Sequence, residues 1–283
     1  MPLKYGVAAH DGYRSPSEDV IIHKICENGY EIFGVFDGHC GDFYSRNVSD
    51  LVIYGLEEIF KFSLSVEEIK DTLIDIYTRI DAILYDCYPT IGGGSTAIVA
   101  VITPTDVVLA NTGDSAAMLL SKSSDILTHF THEHTPEDES ERLRVLAAGG
   151  TVTQLFQDAK RLNSNLSLSR AFGNWNHKKR GLIVTPTIYI WPRSDAILAL
   201  YSDSFTEDYA EGDSNPRIIL NCLTKTAVYK NLKKFIVLDN LTTAAKAAVN
   251  EQVNKFKVPL LEIYNGDNTS LIFVDIEIDR SNT

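Results

Sequence analysis

Residues 95–130 read STAIVAVITPTDVVLANTGDSAAMLLSKSSDILTHF. Four short apolar runs, AIVAVI, VVLAN, AAMLL and ILTHF, are separated by TPT, TGDS and SKSSD, which are rich in turn-forming residues. Runs of this length punctuated in this way predict a meander of antiparallel strands. AIVAVI does not alternate with polar residues, so both of its faces must be covered. An antiparallel sheet achieves this when a second sheet lies on one side and helices lie on the other. The expected fold class is therefore α+β, a four-layer helix/sheet/sheet/helix sandwich with two antiparallel β-sheets.

The flanking sequence supplies the other layers. Over 65–88, Val66, Ile69, Leu73, Ile76, Ile80, Leu84 and Cys87 recur at three- and four-residue spacing, and Ser65 with Glu68 forms a capping box. Over 41–62, Tyr44, Val48, Val52, Leu56 and Phe60 make a second helical stripe, and the two predict a helix pair over one sheet. The opposite layer is expected from 137–148, around 206–233 and 240–256, closed by the strand TSLIFVDIEI.

With 283 residues and 44% hydrophobic content, the chain can bury a large core, and 1–283 is read as one domain. It has no run of eighteen apolar residues, and its start, MPLKYGVAAH, carries neither an apolar signal region nor a myristoylation glycine. The expectation is an intracellular protein of the cytoplasm or nucleus, a monomer with no membrane partner. A net charge of -12 argues against nucleic acid as the main partner, because phosphate backbones reward clusters of Lys and Arg. Four scattered cysteines without a C-x-x-C pair suggest neither zinc nor a disulfide framework.

Four aspartates stand where apolar strands meet turns: Asp37 after EIFGVF, Asp114 after VVLANTG, Asp203 after AILALYS, and Asp267 before TSLIFVDI. A lone Asp at a strand end is ordinarily a turn residue. Four that converge without adjacent Lys or Arg raise one another's pKa or require cations. Glu18 and Asp19 in RSPSEDV add oxygen donors, and an all-oxygen set favours Mg2+ or Mn2+ over zinc. Two such ions bridged by one carboxylate lower the pKa of a shared water and aim it at phosphorus or a carbonyl. Asp37 suits bridging because Gly38 lets the backbone carbonyl approach. Arg14, four residues before Glu18, is a candidate fork for an anionic substrate.

The segments GYRSPSEDV, VFDGHCGD, GGGSTAIVAV, LANTGDSAA, THEHTPEDESERLRVLAAGG, LSLSRAFGN, TPTIYI, ALYSDS and GDNTSLIFV occur in that order between Gly12 and Val274. In order and character this set resembles the metal-dependent protein serine/threonine phosphatases of type 2C, in the eukaryotic VFDGH form. The resemblance implies hydrolysis of phosphoserine and phosphothreonine in protein substrates by direct attack of a metal-activated water. It implies two Mn2+ or Mg2+ ions per site and a weaker third. Asp37 would bridge the pair with the Gly38 carbonyl on one ion, and Asp203 and Asp267 would hold the other. Glu18 would reach the first through waters, with Asp19 supporting that shell, and Asp114 with Asp203 would form the third site. Arg14 would bind phosphate and His39 would protonate the leaving oxygen, a task that suits a side chain of near-neutral pKa. The alternative for His39 is a hydrogen bond that orients a metal ligand.

The chain departs from that pattern at Ser204, where SDG becomes SDS, at Ala116 in GDSAA, at Asn174 in SRAFGN, and in the stretch Glu133-His134-Thr135-Pro136. None removes a ligand of the two-metal core. The departures motivate a second reading, a catalytically weak or inactive pseudophosphatase that keeps the fold as a binding or regulatory module. A third reading keeps the metals but changes the substrate to a small phosphomonoester or a nucleic acid, the latter opposed by the net acidity.

Overall fold

A computed structural model describes residues 2–12, 16–154, 159–208, 221–222, 225–238, 240–255, 257–258, 263–264 and 267–277. In chain order the strands are β1 (Tyr5–His10), β2 (Val20–Ile25), β3 (Glu31–Phe36), β4 (Gly38–His39), β5 (Gly94–Ser95), β6 (Ala97–Ile102), β7 (Asp106–Thr112), β8 (Ala116–Ser121), β9 (Val152–Thr153), β10 (Arg161–Leu162), β11 (Phe172–Gly173), β12 (Thr187–Pro192) and β13 (Ala196–Tyr201). Two-residue ladders β14 (Glu207–Asp208) with β15 (Asn221–Cys222), and β16 (Lys257–Val258) with β17 (Ile263–Tyr264), precede β18 (Thr269–Asp275). The helices are α1 (Phe43–Ile59), α2 (Val66–Cys87), α3 (Glu139–Ala147), α4 (Trp175–Lys178), α5 (Lys225–Lys233) and α6 (Leu241–Lys255).

One sheet has the order β12-β7-β6-β3-β2 and the other β1-β18-β13-β8, and the pairings in both are antiparallel. Three apolar clusters layer the molecule. Helices α1 and α2 pack Val48, Val52, Leu56, Leu73 and Tyr77 onto one face of the five-stranded sheet. Between the sheets, Phe33, Val35, Ile98 and Leu109 meet Ala117, Leu119, Leu198 and Ile272. On the far side, Val228 and Leu232 of α5 and Ala244, Ala248 and Val249 of α6 cover Met118, Ala199 and Phe273. This is the expected four-layer α+β sandwich. Every side chain of AIVAVI is buried, as continuous covering of β6 requires. The Ser65/Glu68 capping box forms in both directions.

The meander differs from expectation. β6 and β7 form a hairpin in one sheet, but β8 belongs to the other, so the chain crosses between sheets at the TGDS turn. Gly113 permits that crossing with φ of +106°, a conformation in which a Cβ would also strike Thr96. ILTHF makes no strand, only an isolated bridge from Phe130 to Met118, because Leu127 and Phe130 are spent packing against the α5/α6 side. Helix α3 also stands apart from the predicted layer. Its Val145 joins a separate small core with Leu162, Leu168, Ala171 and Leu182, while its Leu143 and Leu146 stay exposed. Most of 206–224 lies outside the described residues. No described helix is long and apolar enough to cross a membrane.

Candidate metal centre

Register brings the aspartates together. In the five-stranded sheet Val20 pairs with Phe36, Val35 with Ile98, and Ala97 with Thr112. The start of β2, the end of β3, the start of β6 and the end of β7 therefore share one edge. In the other sheet Tyr201 pairs with both Ala116 and Leu271, and His10 with Thr269, which aligns the start of β8, the end of β13 and the start of β18. Asp19, Asp37, Asp114, Asp203 and Asp267 each stand within two residues of one of those ends. The two edges face each other because the TGDS turn joins them.

The electrostatics follow from that convergence. Asp37 is buried, and its pKa is raised well above the usual carboxylate value, first by burial and then by the charges of Asp19, Asp203, Asp267 and Asp114. Burial pushes Asp19 to about 6, with Asp267 adding to it and nearby Ser270, Asp37 and Ser202 opposing it. None of these reaches hydrogen-bond geometry, and both oxygens of Asp19 are buried without a hydrogen bond. Asp114 is likewise raised to about 6, chiefly by burial, against the opposing pull of its own backbone N–H and, more weakly, of Lys225. Lys225, at the start of α5, is lowered to about 8 by burial and pairs with Glu133.

Buried like charges with orphaned oxygens are the signature of a site that takes cations. Among the described residues no three His, Cys, Asp or Glu side chains are grouped tightly enough to chelate an ion by themselves. The donors that converge here are all oxygen, which suits a hard cation that fills its remaining positions with water and backbone carbonyls.

A rigid frame holds these groups. The Asp37 backbone N–H donates to Thr96 Oγ1 at 3.1 Å and its carbonyl accepts from the Thr96 N–H at 2.9 Å. The Glu18 N–H donates to Asn268 Oδ1 at 2.8 Å, the Asn268 side chain donates to the Asp11 carbonyl at 2.5 Å, and the Asn268 N–H donates to Asp267 Oδ1 at 2.7 Å. Asn268 thus ties the segment carrying Glu18 and Asp19 to Asp267. At Gly38 a Cβ would lie 2.6 Å from the Glu18 carbonyl oxygen and 2.8 Å from Ser45 Oγ, which donates to that carbonyl at 2.5 Å. The Glu18 carboxylate accepts from the Gly41 N–H at 2.5 Å. His39 Nε2–H donates to Asn174 Oδ1 at 2.8 Å.

Of the residues named from the sequence, Asp19, Asp37, Asp114, Asp203 and Asp267 come together, Glu18 and Gly38 adjoin them, and Arg14 lies outside the described residues. Sequence reasoning missed the bracing by Asn268 and Ser45, the Lys225–Glu133 pair, and the place of His134. Burial lowers His134 to about 3, so it is neutral. Its Nδ1 accepts from the Gly113 N–H at 3.2 Å and it bonds Thr187 Oγ1 at 2.8 Å, bracing the turn that carries Asp114. Only Asn268, beside Asp267 in GDN, carried a signal in the sequence.

A family profile described as Protein phosphatase 2C matches residues 3–250. The chain is 27% identical over 296 residues to "Probable protein phosphatase 2C 24" of Arabidopsis thaliana, covering 96% of this chain and 78% of that protein. It is 34% identical over 193 residues to "Protein phosphatase 2C homolog 2" of Hypocrea jecorina, covering 62% of this chain and 41% of that one. Of "Protein phosphatase ppm-1.A" of Caenorhabditis elegans it spans 40% of the length. Among solved structures, a serine-threonine phosphatase 2C from Toxoplasma gondii superposes with a TM-score of 0.70 at 20% identity, over 97% of both chains. At that identity the likeness speaks for the fold.

Proposed function

The chain belongs to the protein phosphatase 2C family, and from that premise we propose that it hydrolyses phosphoserine and phosphothreonine in proteins with the help of Mn2+ or Mg2+. The observation that supports this most is Asp37, buried and set against four further carboxylates. In this reading Asp37, the Gly38 carbonyl, Asp203 and Asp267 would hold the two ions, Glu18 and Asp19 would support them from beside the site, and Asp114 with Asp203 would offer a weaker third position. Ions bound there would polarise the phosphoryl group and make a water nucleophilic near neutral pH.

The chain's own residues do the rest. Arg14 holds the phosphate oxygens as a fork, His39 delivers a proton to the departing serine or threonine oxygen, and Asn268 and Thr96 keep the carboxylate-bearing turns in place. The second reading, a binding module, is favoured by the departures at Asn174 and Ser204. Hydrolysis of p-nitrophenyl phosphate and a phosphothreonine peptide with Mn2+, with Mg2+ and with a chelator separates the two. Turnover that appears with metal and vanishes with chelator supports the enzyme. Phosphopeptide binding without turnover under any metal condition supports the module.

A further inference from the structure

His39 and Asn174 are 135 residues apart, yet a small sheet of two-residue strands makes them neighbours. β5 lies between β4 and β11, and in its register Gly94 is opposite both His39 and Gly173. Because Gly94 has no side chain, the imidazole and the amide meet across it. A Cβ there would collide with Asn174 Oδ1. Asn174 adopts the left-handed conformation with φ 51° and ψ 45°, tolerated by Asn better than by most residues. Its N–H donates to the Gly93 carbonyl at 2.8 Å. From the other side Asp81 of α2 accepts from the Gly173 N–H at 3.0 Å and pairs with Lys178 at 2.8 Å, and Lys178 also donates to the Ala171 carbonyl at 2.7 Å. Lys178 and Asp81 are both largely buried, so the segment bearing Asn174 is held firmly.

We propose that Asn174 is a positioning residue for His39: its amide oxygen holds the Nε2–H and so fixes the orientation in which the ring meets the leaving oxygen. The proposal rests on the reading of His39 as the proton donor. During turnover the ester P–O bond breaks, water supplies the new oxygen on phosphorus, and the departing oxygen takes a proton from His39, which regains one from solvent. The change from the aspartate of the resembling pattern to Asn174 keeps an acceptor oxygen in place, which is all that orientation requires.

The test compares leaving groups. p-Nitrophenolate departs without protonation and an alkoxide does not, so disorienting the donor harms the second substrate selectively. Asn174→Gly removes the acceptor without straining a positive φ. In the Mn2+-loaded protein, its kcat for a phosphothreonine peptide is expected to fall about tenfold or more. KM should change less than about twofold, and kcat for p-nitrophenyl phosphate less than about threefold. Asn174→Asp, which restores an acceptor, should stay within about threefold of the parent on both substrates. Adding His39→Ala to Asn174→Gly should cost no more than His39→Ala alone, because the two act as one unit. Equal losses on both substrates, full additivity, or failure of Asn174→Asp to retain peptide turnover would overturn the proposal. A normal peptide rate in His39→Ala would overturn the assignment of the proton donor itself. A parent protein that turns over neither substrate would overturn the enzymatic reading and this proposal with it.

Discussion

Asp19→Asn is the most discriminating perturbation of the carboxylate cluster, because stability and ion binding should move in opposite directions. The folded-state pKa of Asp19 is raised from 3.8 to about 6. A carboxyl raised in the native state binds more protons folded than unfolded, so metal-free stability falls as pH rises from about 4 to about 6 and stays low above that. A shift of about two units corresponds to roughly 3 kcal/mol at pH 7. The amide of Asn removes that charge cost but leaves neutral polar atoms without partners, at about 1 kcal/mol. The net gain is then about 2 kcal/mol, or roughly 4 °C in Tm for a chain of this size. Differential scanning of metal-stripped protein in chelator at pH 7 should show the variant melting higher than its parent. At pH 4 the gain should vanish, since Asp19 is then protonated in the folded parent. Saturating Mn2+ should raise the parent's Tm more than the variant's. A metal-free variant that melts lower than its parent at pH 7, or that keeps the full Mn2+ shift, would refute the argument.

Asp37→Ala and Asp203→Ala are each expected to abolish metal-dependent turnover and to weaken Mn2+ binding in calorimetry; near-normal rates in either would remove it from the ligand set. Arg14→Ala should raise KM for phosphopeptides more than it lowers kcat, as for a group that grips phosphate equally in ground and transition states, and the reverse pattern in steady-state kinetics would make it a transition-state group. Ser204→Gly should alter kcat by less than about twofold. Ser204 lies in the single helical turn Asp203–Thr206 and is not among the positive-φ residues, so its Cβ is unstrained; a tenfold gain on substitution would show a weakened catalyst instead.

What could be read in the sequence divides along physical lines. The stripes of α1 and α2 and the unbroken apolar run of β6 express burial directly, so period and capping sufficed. The aspartates were legible because a charge at the end of an apolar strand is conspicuous. Assignment of β8 to the second sheet was not, since AAMLL reads alike in either sheet and only the left-handed Gly113 sends it across. The contact between His39 and Asn174 depends on a ladder of two-residue strands around Gly94, too short for any periodic pattern. Lys225 stands beside Asp114 only because α5 packs against β8, a tertiary fact with no local trace.

Ser204 is buried, its Oγ lies 3.3 Å from Ser202 Oγ, and its carbonyl accepts from the Gln252 side chain at 2.5 Å, so its side chain is accommodated. Asn174 keeps an acceptor for His39, and Ala116 is buried at the start of β8 opposite Tyr201. None of the three disturbs the five aspartates. Those aspartates are costly when nothing neutralises them: burial raises both Asp19 and Asp114 to about 6, so each weakens the metal-free fold as pH rises above the ordinary carboxylate range. A module that only bound phosphopeptides would be relieved of that cost by any neutral replacement, whereas a protein that loads cations recovers it on binding. The cluster therefore weighs for a protein that binds cations over one that does not, and the Asp19→Asn melting experiment measures the cost that cation binding would recover.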